Sequence, residues 1–149
     1  MLVGIISDTH GLLRPEAVTA LQGVERILHG GDVGDASVLQ DLEKIAPVVA
    51  VRGNNDKGAW AEELPLREAV ELEGVFVYLI HDLKEIDISP AGSFQVVVSG
   101  HSHKPSIVEQ RGVLYVNPGS AGPRRFTLPI GIALLLVGGG QASAKIVEL

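Results

Sequence analysis

Five times in this chain a short apolar run of strand length leads into a loop carrying aspartate, asparagine or histidine, usually with glycine beside it. Leu2 to Ile6 leads into Ser7-Asp8-Thr9-His10, Arg26 to Leu28 into Gly30-Gly31-Asp32, and Val48 to Val51 into Gly53-Asn54-Asn55-Asp56. Val75 to Ile80 ends at His81, and Gln95 to Ser99 ends at Gly100-His101-Ser102-His103. Strand ends are where an α/β sheet presents its ligand-binding loops. A chain with this pattern is constrained to folds that gather those side chains along one rim.

Between the early runs the spacing is helical. Pro15 to Gln22 predicts a helix, with proline at the favoured first position and Gly23 ending it. Ser37 to Ile45 predicts a second, with Val38, Leu39, Leu42 and Ile45 on one face. This alternation up to Val51 implies a parallel sheet of βαβ units. Beyond it, Val70–Leu72, Val75–Ile80, Gln95–Ser99, Ile107–Glu109, Val113–Val116, Ile130–Val137 and Ala142–Val147 all have strand character. Glu73-Gly74 and Arg111-Gly112 are short hairpin connections, and Gly138 to Gly140 is a looser one. These later strands are expected to form a mixed second sheet packed on the first. No repeat, low-complexity tract or linker divides the sequence, so residues 1–149 are expected to form a single domain.

Composition removes several classes. Hydrophobic residues make up 46%, yet no apolar run reaches the ~18–20 residues of a membrane span. The longest, Ile130 to Val137, suits a buried strand. Cysteine is absent, which excludes disulfides and thiolate metal sites. Leu2 to Ile6 runs straight into Asp8 with no basic leader, so the expected address is the cytoplasm. A net charge of −6 without like-charge blocks argues against nucleic acid as a partner. Bound divalent ions would still let an acidic chain hold phosphate.

Asp8 and His10 place a hard oxygen donor beside an imidazole, two residues apart. His101 and His103 repeat that spacing. Asp32 and Asn54 each follow glycine, which lets the backbone turn sharply and approach an ion. A neutral amide fills a coordination position without adding charge. Taken singly, each residue has an ordinary explanation: a hydrogen-bonded structural histidine, or an aspartate serving a turn. Their shared placement at strand ends points to a metal site.

The ordered series Asp8-Thr9-His10, Gly31-Asp32, Gly53-Asn54-Asn55-Asp56, His81 and Gly100-His101-Ser102-His103 resembles the calcineurin-like metallophosphoesterase superfamily. The short length and Asn117-Pro118-Gly119-Ser120 resemble its small bacterial and archaeal phosphodiesterase branch. The resemblance implies an α/β fold of two mixed β-sheets sandwiched between helices. It implies that Asp8, His10, Asp32 and His103 hold one divalent ion and Asp32, Asn54, His81 and His101 a second, with Asp32 bridging. Sulfur-free ligation suits Mn²⁺, Fe²⁺, Co²⁺, Ni²⁺ or Zn²⁺, and the family points to Mn²⁺. The implied reaction is hydrolysis of small phosphate esters or diesters by a metal-bridging hydroxide. The alternative is a metal-binding interaction scaffold of the same fold with little turnover, as in the retromer subunit. The exposed hairpin strands could also pair between subunits of a homo-oligomer.

Two positions depart from the pattern. Many superfamily members carry, directly after the asparagine ligand, a histidine thought to protonate the leaving group. Here that position is Asn55, and small-branch relatives also lack the histidine. An amide cannot deliver a proton, and general acid catalysis is commonly worth ~10²–10⁴-fold, so good leaving groups should be favoured. His81 is followed by Asp82 where relatives carry glycine, so Asp82 either orients His81 or caps a helix before Leu83. His29 is expected to have a supporting role, and Asp56 to hold its own loop by accepting backbone hydrogens. Trp60 suits ordinary packing. Arg124 and Arg125 are candidate phosphate clamps.

Overall fold

The computed structural model describes residues 1–149. Its two sheets are each mixed and five-stranded. In the first, β1 (Leu2–Ile6), β2 (Arg26–His29) and β3 (Val48–Ala50) are parallel, joined by helices α1 (Pro15–Ala20) and α2 (Ala36–Glu43). Asp35 starts α2 by accepting the Ser37 amide hydrogen. A one-turn helix, α3 (Ala59–Glu62), follows the β3 loop. The second sheet contains β4 (Arg67–Leu72), β5 (Val75–Ile80), β6 (Val96–Val98), β7 (Ser106–Gln110) and β8 (Val113–Asn117), in the order β4-β5-β6-β8-β7. Both predicted tight hairpins form, with Glu73-Gly74 and Arg111-Gly112 at positive φ throughout, as such turns require.

The last two strands differ from the sequence reading. β9 (Gly131–Gly138) and β10 (Gln141–Glu148) do not join the second sheet. They extend the first, giving the order β10-β9-β1-β2-β3 with β9 antiparallel to β1. Burial explains the placement. Ala133, Leu135 and Val137 of β9 face the other sheet, while Ile132 packs with the helices, so the strand needs cover on both sides. A run apolar at every position marks a central strand but does not say in which sheet.

The same alternation builds the core. Val77 and Leu79 of β5 point inward to meet Val3 and Ile5 of β1 between the sheets. Tyr78 and Ile80 point outward, under Ile86 and Phe94. The outer face of the first sheet is covered by α1 and α2 through Ala17, Leu21, Val38 and Leu42. The outer face of the second carries coil and one 3-10 turn, Leu83–Glu85, in place of an α-helix. No helix is long and apolar enough to cross a membrane.

Candidate functional site

The C-terminal ends of β1, β2 and β3 from one sheet, and of β5 and β6 from the other, open onto one rim. Backbone hydrogen bonds lace their loops together. Asp8 N donates to Gly31 O (3.0 Å), His10 N to Asp32 O (2.9 Å) and Gly100 N to His81 O (2.9 Å). Asp8, His10, Asp32, His101 and His103 adopt positive φ of 54°, 46°, 54°, 70° and 62°. Side-chain-bearing residues avoid that region, and its use here concentrates backbone strain on the predicted ligands.

Asp8 is fully buried. Its Oδ2 accepts from Ser7 Oγ (2.6 Å) and His101 N (3.1 Å). Its Oδ1 has no hydrogen-bond partner. That oxygen faces Nε2 of His103 at 3.4 Å, His10 at 3.8 Å and His81 at 4.0 Å. Burial pushes the Asp8 carboxyl up, but the adjacent His103, the Ser7 hydroxyl and the charge of His81 outweigh it and hold its pKa below the ordinary value. Asp32 behaves alike: burial opposes ionisation, while His81 and Asn55 hold the carboxyl well below the usual range. Its Oδ2 lies 3.3 Å from His81 Nε2 and 3.8 Å from His10 Nε2. Asn55 grips it twice, donating from its backbone N to Oδ1 (2.9 Å) and from Nδ2 to Oδ2 (3.1 Å).

His81 donates from Nδ1 to Gly30 O (2.7 Å) and from Nε2 to Asn54 Oδ1 (3.1 Å). Both ring nitrogens thus face oxygen acceptors, the arrangement of an imidazolium. Burial would lower its pKa, but the Asp32 and Asp8 carboxylates raise it to about 9. His10 Nε2 and His103 Nε2 confront each other at 3.4 Å. A divalent cation fits this rim. It would satisfy the unpartnered Asp8 oxygen and take lone pairs from ring nitrogens that otherwise oppose one another.

Two groups of donor atoms lie close enough to share an ion: Asp8, His10 and His103, and Asp8, Asp32 and His81. Asn54 joins through its contact with His81. His101 is in neither group. Its side chain is 45% exposed, its ring packs edge-on against His81 with centroids 5.2 Å apart, and its Nε2 lies 3.8 Å from Asp82 Oδ2.

The supporting residues fall into place around these. A side chain at Gly53 would collide with Asp32, and one at Gly100 with Ser7 and Asp8, so close backbone approach requires glycine at both. Asp56 accepts from the backbone N of Gly53, Val33 and Gly34, tying two loops as expected. His29 is fully buried, accepts Gly31 N at Nδ1 and donates from Nε2 to Thr9 Oγ1. Burial lowers its pKa to about 4, which keeps it neutral and structural. Asp82 caps the 3-10 turn by accepting from Lys84 N (3.0 Å), while the Nδ1 of His81 is taken by Gly30 O; this decides for the cap. Trp60 packs beside the helices. Arg124 donates to Leu128 O in its own loop, and Arg125 faces an open cavity. Asn117 donates to Gly100 O and Ser102 Oγ, fixing the His101 loop. Sequence reasoning missed Ser7 and Ser120; Ser120 Oγ donates to Asp8 O (3.0 Å). A serine carries no signal until the fold sets it against the aspartate.

A double-sheet sandwich whose rim gathers carboxylates, an amide and imidazoles has the form of a metal-dependent phosphoesterase. The calcineurin-like phosphoesterase superfamily domain matches residues 1–140, and the chain belongs to that superfamily. It is 37% identical over 165 residues to a probable metallophosphoesterase of Methanothermobacter thermautotrophicus, covering 99% of this chain and 92% of that one. Among solved structures, an archaeal phosphodiesterase superposes with a TM-score of 0.82 at 25% identity, covering 99% of this chain and 100% of the other. Vps29 of Chaetomium thermophilum superposes at 0.80 and 22% identity, covering 100% and 97%. The last is a likeness of fold alone. Membership supports phosphoesterase activity, and the family implies divalent metal ions, for which the rim holds candidate ligands.

Proposed function

We propose that this chain hydrolyses small phosphate esters and diesters at a binuclear divalent-metal centre. The observation that carries the reading is the unpartnered Asp8 Oδ1 within 4.0 Å of three imidazole nitrogens. Asp8, His10, Asp32 and His103 would hold one ion, and Asp32, Asn54, His81 and His101 the other. Asp32 is assigned as the shared ligand on the family resemblance, supported by its Oδ2 lying 3.8 Å from His10 Nε2 and 3.3 Å from His81 Nε2, although Asp8 is the residue common to both donor groups. His101 is assigned from its position against His81. The oxygen and nitrogen donor set suits Mn²⁺, which we take as the working ion.

When bound, such ions generate a nucleophile from water near neutral pH and draw charge from the phosphate oxygens. The chain's own groups orient that chemistry. Gly30 O fixes the His81 ring, Ser7 Oγ and His101 N fix Asp8, and Asn55 fixes Asp32. With the Asn55 amide committed to Asp32, no proton donor stands at that position for the departing oxygen. Esters whose leaving groups depart as stable anions are therefore the better substrates. The proposed compartment is the cytoplasm, consistent with the absence of cysteine. The scaffold reading draws on the fold shared with Vps29.

The test is hydrolysis of bis-p-nitrophenyl phosphate by chelated protein reconstituted with one divalent ion at a time. Activity that disappears on chelation and returns with Mn²⁺ supports the reading. Full metal loading without turnover would favour the scaffold, and turnover surviving exhaustive chelation would remove the metal mechanism.

A further inference from the structure

The rim opens into two cavities; Asp82 and the candidate ligand His101 line both, and Asn54 and His81 also line the smaller. They differ in charge. The larger, about 640 Å³, is lined by Lys84, Lys104 and Arg125 against a single acid, Asp82. The hydroxyl residues Ser102 and Tyr115 complete its polar wall. The smaller, about 370 Å³, sets Arg52 and Arg67 against Asp82 and Glu85, with Leu66 and Ile80 as apolar lining.

The three cations of the larger cavity come from separate segments: the 3-10 turn after β5, the loop after β6 and the loop before β9. None of them enters an ion pair. The lysine and arginine ion pairs of the protein are Lys44–Asp41 and Arg67–Asp87, and the second of these neutralises a cation of the smaller cavity. In a chain of net charge −6, three unpaired cations on one concave wall raise the local potential where an anion can enter. Lysine and arginine from several directions, with hydroxyl donors, match the oxygens of a phosphoryl group. The volume is that of a site for a nucleotide-sized ligand.

We propose that the larger cavity is a second phosphoryl subsite, so that the preferred substrate is an asymmetric phosphodiester. One arm carries its own phosphate, held by Lys84, Lys104 and Arg125. The other arm is uncharged and lies in the smaller cavity against the exposed Leu66. The inference rests on the phosphoesterase reading of the rim between the cavities. The reaction itself is unchanged: water gives OH to phosphorus as one P–O ester bond breaks, the departing oxygen leaves as an anion, and the water's remaining proton passes to solvent.

Two measurements test this independently. The first is calorimetric titration of chelated protein with inorganic pyrophosphate, wild type against Lys104→Ala/Arg125→Ala. Binding that weakens about tenfold or more in the double variant is expected, from the loss of charge-assisted hydrogen bonds. Lys44→Ala, which alters a distant ion pair, should not weaken it. Lys104→Glu should weaken it further and guards against a misfolded double variant. The second compares thymidine 5′-(p-nitrophenyl phosphate) with the same ester bearing an added 3′-phosphate, so that the leaving group is constant. A kcat/KM preference of about tenfold for the phosphorylated ester, collapsing toward unity in the double variant, is expected. No pyrophosphate binding, binding equal in wild type and variants, or turnover without preference overturns the subsite. Pyrophosphate binding lost in the variants from a protein that hydrolyses no ester leaves the subsite standing and removes the phosphoesterase reading instead.

Discussion

The two sheets contribute different chemistry to the rim. From the helix-backed sheet come the oxygen donors Asp8, Asp32 and Asn54, with His10 the one imidazole among them. From the second sheet come only imidazoles: His81 after β5, and His101 and His103 after β6. Each of the two donor groups takes residues from both sheets, so neither set alone completes one. The site exists because Val3, Ile5 and Leu28 pack against Val77, Leu79 and Val98, bringing the two rims level. Stacking of the sheets and assembly of the site are therefore one event, and each sheet's donors set the protonation of the other's.

The strongest way to break this division is to remove an oxygen donor and leave the imidazoles. Asp32→Asn should cost on the order of 10³-fold in kcat/KM, as expected where several kcal/mol of charge stabilisation is lost. It should cost more than Asp8→Asn, with metal content falling at both positions. Near-normal activity with full metal content in Asp32→Asn would show that Asp32 is not shared.

If metal ties the two halves together, it should also stabilise their stacking. A ligand specific to the native state adds RT ln(1 + [L]/Kd), about 2.7 kcal/mol at a hundredfold excess over Kd. In calorimetry, Mn²⁺ should then raise Tm by roughly 5–10 °C. An unchanged melting curve at saturating Mn²⁺ would separate the site from the stacking.

The pH dependence of stability sharpens the contrast, because one buried histidine lies inside the first sheet and another faces its acids from the second. His29 titrates at about 4 when folded, against 6.5 ordinarily. Between those values the unfolded chain binds the extra proton, so stability rises with pH and is complete above 6.5. The difference is on the order of 3 kcal/mol. His81, raised to about 9, has the opposite sign. The folded chain holds that proton, so its contribution is complete below 6.5 and is lost toward pH 9. Denaturation of chelated protein should therefore give a maximum near pH 6.5. His29→Gln should flatten the acid limb, and Mn²⁺, which displaces the His81 proton, should reverse the alkaline one. A flat profile from pH 4 to 9 would contradict both assignments.

The smallest effect concerns Asn55, the residue of the Asn54 loop that grips the Asp32 carboxylate of the adjacent loop. Asn55→His should favour an alkyl phosphodiester over a nitrophenyl ester by about tenfold or less, since only the alkoxide needs a proton. Losing the grip on Asp32 should lower both absolute rates. Equal changes for the two esters would place Asn55 away from the leaving group.

Much of this was legible in the chain. β1 and β5 have the bounds that their apolar runs predict, and each of the five strand-end loops reaches the common rim. Glycine beside a candidate ligand was informative because close backbone approach excludes a side chain there, as Gly53 before Asn54 and Gly100 before His101 demonstrate. The sheet containing β9 and β10 was not legible: a strand buried on both faces has no period that names its neighbours. β4 begins at Arg67, earlier than predicted, because its exposed edge positions carry charges that hide the strand. α3 and the 3-10 turn are too short to show a period. Ser120 and the distance of His101 from both donor groups depend on contacts between segments far apart in sequence, and Ser7 meets its neighbour Asp8 only through the positive-φ turn there.

The most direct test of a site assembled from two sheets is where metal binds. Crystals grown with Mn²⁺ and measured at its absorption edge should show two anomalous peaks ~3.5–4 Å apart at the rim, between Asp8 and Asp32 on one side and His81 and His103 on the other. No peak at the rim, or peaks bound by one sheet's residues alone, would contradict the account.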